Sequence, residues 1–100
     1  MASVQIHFKG ESAKVIYPIP LPFDITGYTI TVYVRKPDAS LLTKTGTIVD
    51  AASGQISWVT DNSGANLSIV GEYISQVKAV SGSIIRYMEP ETFKVDDTLA

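Results

Sequence analysis

The sequence predicts an all-β domain, a Greek-key β-sandwich with a tyrosine corner, on three observations. Valine and isoleucine supply about a fifth of the 100 residues, and with many threonines they suit pleated, half-buried strands. Short alternating runs are punctuated by Gly, Pro, Asp and Ser, while helical periodicity is almost absent. The stretch Leu67-Ser68-Ile69-Val70-Gly71-Glu72-Tyr73 sets a Leu and a Gly ahead of a Tyr that opens a strand. Gly71 lets the chain turn tightly, and the Tyr73 hydroxyl is placed to bond a backbone group upstream while its ring enters the core.

The elements follow in order. Val4, Ile6 and Phe8 alternate with Gln5, His7 and Lys9, so a first strand is expected with its apolar set facing the core. Lys9-Gly10-Glu11-Ser12 turns the chain, and Val15 to Tyr17 is a second short strand. In Pro18-Ile19-Pro20-Leu21-Pro22 the three prolines cannot donate ladder bonds, which makes this tract an edge, a polyproline-like segment or a loop. Edge protection against stray strand pairing is its plain reading, and a recognition segment the other. Residues 1–20 are expected to form an edge strand or an N-terminal arm.

Tyr28, Ile30, Val32 and Val34 line one face of a central strand, opposite Thr29, Thr31 and Tyr33. Lys36-Pro37-Asp38-Ala39-Ser40 is a loop, with Asp38 available for a side-chain-to-backbone bond. Weaker strands, Leu42 to Thr45 and Thr47 to Val49, flank Gly46. After the turn Asp50-Ala51-Ala52-Ser53-Gly54 comes Gln55 to Thr60, with Ile56 and Trp58 on one alternation. Asp61 to Ser68 has room for one helical turn, capped by Asp61 or Ser63. The corner strand carries Tyr73, Val77 and Ala79 on one face, and Ser81-Gly82 signals a hairpin into Ser83 to Glu89. Thr92 to Val95 closes the sheet with Phe93 and Val95 inward, and residues 96–100 read as a frayed tail. With no repeat, linker or low-complexity segment, residues 1–100 read as a single domain.

Bulk properties narrow the function. The chain has no cysteine and a formal net charge of −2. A disulfide framework and a thiolate metal site are thereby excluded. No block of like charge invites nucleic acid, no apolar run approaches the ~20 residues that span a bilayer, and no secretory signal opens the chain. The expectation is a protein made and kept in a reducing cytoplasm, with neither nucleic acid nor membrane as partner.

Candidate chemistry is sparse. His7, the single histidine, falls on the polar face of the first strand beside Gln5 and Lys9, without an acid or nucleophile as neighbour. Glu89 and Glu91 flank Pro90, and Asp96-Asp97 lie near the end, but neither pair resembles a calcium loop. A carboxylate pair assembled by the fold stays open, although no apolar pocket composition surrounds these residues in the sequence. There is no phosphate-cradling glycine loop and no Gly-x-Ser-x-Gly elbow. Asn66-Leu67-Ser68 matches a glycosylation sequon, read as chance. Trp58 shares the alternation of Ile56 and is expected in the core. Tyr33 and Tyr87 are the expected exposed aromatics, and with Pro18, Pro20 and Pro22 they form the expected interface. The domain is expected to be non-enzymatic and free of cofactors and metals.

Phe23-Asp24-Ile25-Thr26-Gly27 leads into Thr29-Ile30-Thr31-Val32-Tyr33-Val34-Arg35-Lys36-Pro37-Asp38. Thr47-Ile48-Val49-Asp50, Ser53-Gly54-Gln55-Ile56, Gly71-Glu72-Tyr73 and Glu91-Thr92-Phe93-Lys94-Val95 follow. In order and spacing, over residues 20–95, these pieces resemble the immunoglobulin-like domain at the N-terminus of tailed-phage baseplate upper proteins, and related small phage tail, capsid decoration and head-fibre proteins. The resemblance implies an immunoglobulin/fibronectin-III-like sandwich that docks other virion proteins, often as a symmetric homo-oligomer. It carries no catalytic motif, and it implies a place in the virion after assembly in a host cytoplasm. In the multi-domain members a helical or fibrous segment follows the domain, which this chain does not show. A carbohydrate-binding or adhesive sandwich is the alternative expectation.

Overall fold

The computed structural model describes residues 5–61 and 65–98. Among them, nine strands run in chain order as β1 (Gln5–Phe8), β2 (Val15–Ile16), β3 (Thr29–Arg35), β4 (Leu41–Thr45), β5 (Thr47–Asp50), β6 (Gln55–Val59), β7 (Gly71–Ser81), β8 (Ile84–Tyr87) and β9 (Glu91–Asp96). A 3-10 turn at Ala65–Leu67 lies between β6 and β7. Val4 and Ser63 fall outside the described residues, as do the last two residues of the terminal segment; Asp96 ends β9.

The strands form two sheets. The larger has the order β1-β9-β7-β3-β4, with β8 also on β7; the smaller is β2-β6-β5. β1 runs parallel to β9, and all other pairs are antiparallel. The product is an all-β sandwich. Its core joins Ile16, Ile56 and Trp58 of the smaller sheet to Ile30, Val32, Val34, Tyr73, Val77 and Phe93 of the larger. Sheets covered on one face need one apolar residue in two, and β3 and β7 follow that rule closely, with burial alternating along both.

The first strand reverses the expectation. Ile6 and Phe8 are 56% and 46% exposed, while His7 is buried at 6%. The pairing explains it: His7 lies opposite the buried Val95, and Ile6 opposite the exposed Lys94. Period-two alternation leaves open which set faces the core, and a one-residue shift of register exchanges the two sets.

Two glycines position the chain between sheets. Gly46 separates β4 in the larger sheet from β5 in the smaller, and a Cβ there would stand 2.5 Å from Ile30 Cγ2. Gly54, at φ +75°, would drive a Cβ to 2.1 Å from the Leu21 carbonyl oxygen. The turns use side-chain acceptors as well. Asp38 Oδ1 accepts from the Ser40 N–H and hydroxyl at 2.9 and 2.6 Å, as its loop position predicts.

Candidate functional site

Of the four residues singled out for structural roles, Leu67, Tyr73 and Trp58 lie in the core and Gly71 is half-buried. Leu67 and Tyr73 are fully buried and Trp58 nearly so. The Tyr73 hydroxyl donates to the Ile69 carbonyl at 2.7 Å and accepts from the Ile69 N–H at 3.3 Å. Its ring stacks on Phe93, with centroids 5.0 Å apart. Burial pushes the phenol above its ordinary pKa, partly offset by the Ile69 bond, with the charge of Asp38 adding to the rise. Gly71 carries φ +141°, and a Cβ there would meet Pro37 Cγ at 2.9 Å.

The polar candidates find mostly structural settings. His7 meets Phe93 edge-on at 5.5 Å, and neither ring nitrogen has a hydrogen-bond partner. Burial lowers its pKa, the nearby Lys14 charge lowers it further, and Glu11 opposes both. Asn66 of the sequon is buried and accepts from the Asp61 N–H at 2.8 Å. Among the described residues, no cluster of three His, Cys, Asp or Glu is placed to hold a metal ion.

The expected interface residues separate. Tyr33 and Tyr87 share the outer face of the larger sheet, Tyr33 opposite Gln76 and Tyr87 opposite Lys78. Tyr87 is 57% exposed, with Lys78 Nζ at 5.8 Å from its ring centroid; Tyr33 is half-buried. Of the prolines, Pro20 and Pro22 are exposed, but Pro18 is buried and offers no docking surface. Among the described residues, β8 pairs with β7 alone, and all four of its residues are exposed. Its free edge carries Ile84, Ile85 and Tyr87, while the inward-leaning Arg86 lies over the Phe23 ring at 5.1 Å.

Next to that edge lies a cleft of about 370 Å³. β8 and β9 flank the same side of β7 but are interrupted at residues 88–90, where Pro90 has no N–H to give. The Met88 N–H donates to the Val77 carbonyl, and Gln76 Nε2 donates to the Met88 carbonyl, both at 2.9 Å. β2 is only two residues long, and the proline tract beyond it forms no ladder. Ile19, Pro20 and Pro22 make one wall; Val77, Met88 and Pro90 make the other. Glu89 and Glu91 supply the charge. The Ile19 N–H donates to both Glu91 oxygens at 3.1 and 3.2 Å, tying the walls together. Burial raises the Glu91 pKa, and the Ile19 bond partly offsets the rise.

This cleft corrects the expectation that no apolar surroundings accompany the carboxylates. The missed signal is the presence of two proline-bearing stretches outside the ladders, Pro18 to Pro22 and residues 88–90; the fold sets them face to face. Comparison with protein-family models and with curated proteins finds no match to this chain.

Proposed function

We propose that the chain is an immunoglobulin-like Greek-key sandwich with a tyrosine corner, acting as a non-enzymatic structural protein of a tailed-phage virion. Its place would be a baseplate or tail adaptor, or a capsid decoration or head-fibre component. The strand order of the two sheets and the Tyr73 hydroxyl bonded to Ile69 four residues upstream support the first part. The sequence resemblance over residues 20–95 supports the second.

The observation that carries docking is the free edge of β8. Among the described residues the outer edge of β8 has no partner strand, and with Ile84, Ile85 and Tyr87 exposed it invites one. Arg86 lies over the Phe23 ring, which leaves Ile85 and Tyr87 as the outward-facing side chains of this edge. A second copy meeting this edge about a two-fold axis would extend the larger sheet across the pair, with Ile85 and Tyr87 on its outer face.

Light scattering tests the proposal, on the protein alone and then mixed with virions that lack it. A symmetric oligomer or saturable binding to the particle is the expected result. A monomer that ignores the particle would overturn it and favour the carbohydrate-binding alternative.

A further inference from the structure

We infer that the cleft between the proline tract and residues 88–91 is a receptor for an arginine or lysine side chain carried on an extended segment of a partner protein. The inference rests on the docking reading and names the chemistry of the partner. Shape comes first. At about 370 Å³ the cleft lies at the small end of the roughly 300–1,000 Å³ typical of ligand sites. Apart from Ser75 and the two glutamates, its walls are prolines, a methionine and two branched aliphatics, which suit the methylene stem of a long side chain.

Charge selects the end group. Glu89 and Glu91 both line the cleft, and neither joins the two salt bridges between described residues, Lys14–Glu11 and Lys94–Asp96. Glu91 is half-buried, and one backbone N–H, from Ile19, is its hydrogen-bond donor. A carboxylate offers about four lone-pair sites, so Glu91 keeps acceptor capacity for a cation. A guanidinium or ammonium there would gain a charge-assisted bond in partly desolvated surroundings. The cleft begins where β8 ends, so a segment docked at the β8 edge reaches its mouth.

The test is an amide chemical-shift titration of the intact chain with acetyl-Val-Thr-Arg-Val-Thr-amide, and with the same peptide carrying citrulline for arginine. Saturable shifts at Ile19, Val77, Met88 and Glu91 are expected with the arginine peptide, weakened about tenfold by citrulline, a change of about 1.4 kcal/mol. E91Q keeps an acceptor for the Ile19 N–H while removing the charge, and should weaken arginine binding by a similar factor. Unchanged shifts around Tyr73 in E91Q establish that the variant is folded; E89Q is the second variant should they move. No shifts up to about 10 mM peptide, or equal binding of the citrulline peptide, overturns the inference. Light scattering separates the two readings: an oligomer without peptide binding refutes the receptor alone, and loss of both refutes docking as well.

Discussion

Removing the Tyr73 hydroxyl isolates one element of the fold, because Tyr73→Phe keeps the ring and its 5.0 Å stack on Phe93. What disappears is the 2.7 Å bond to the Ile69 carbonyl and the weaker 3.3 Å bond from its N–H. A hydrogen bond contributes about 1 kcal/mol net, and a buried group left without a partner costs about 1–3 kcal/mol. Ile69 is half-buried, so water restores part of the loss. The expected destabilisation is therefore about 1–2 kcal/mol. For a domain of this length each kcal/mol lowers Tm by about 4–8 °C, so the melt should fall by roughly 5–15 °C. Urea denaturation should show a lower midpoint with an unchanged slope. Tyr87→Phe is the control, since that ring is 57% exposed and its melt should not move. A Tyr73→Phe melt within about 2 °C of the parent would refute the reasoning, because it would mean the corner bonds carry almost no net stability.

Three further outcomes are expected. The folded pKa of His7 is below the ordinary 6.5, so between the two values the unfolded chain binds the extra proton. Its contribution is intact above about pH 6.5 and lost as pH falls. Glu91, raised in the folded state, works oppositely from its ordinary 4.5 upward, so the test is the difference between the parent and His7→Phe. Melts from pH 5 to 7.5 should show the parent losing more stability toward acid, and parallel curves would count against a buried neutral His7. Gly54→Ala, forced to 2.1 Å from the Leu21 oxygen at positive φ, should cost at least about 2 kcal/mol, whereas Gly82→Ala, at positive φ with open space, should cost about 1 kcal/mol. Denaturant midpoints that rank them the other way would contradict the described approach of Leu21. Ile85→Lys should leave the melt within about 0.5 kcal/mol of the parent while abolishing self-association in sedimentation; an oligomer that survives it does not use the β8 edge.

How much was legible in the sequence depends on how locally each feature is determined. β3 and β7 were plain, because seven and eleven residues of sustained alternation leave one register that buries the apolar face. The burial of Trp58 followed from its sharing a face with Ile56. β1 was not legible in its facing, since four residues give a period without a polarity. Its partner decides, and β9 holds His7 inward and turns Ile6 and Phe8 outward. The passage of the chain between sheets at Gly46 depends on contact with Ile30, which no local pattern reports. The cleft was hidden for the same reason: Ile19 and Glu91, bonded to each other, are 72 residues apart in sequence. The prolines on both sides were visible, but their meeting depends on the fold.

The docking claim is tested most directly by amide hydrogen exchange, comparing the free protein with the protein assembled on the particle. Docking at the β8 edge slows exchange in peptides covering β8 and residues 88–91 and leaves β4 and β5 unchanged. Protection confined to β4 and β5, or none at all on assembly, would contradict it.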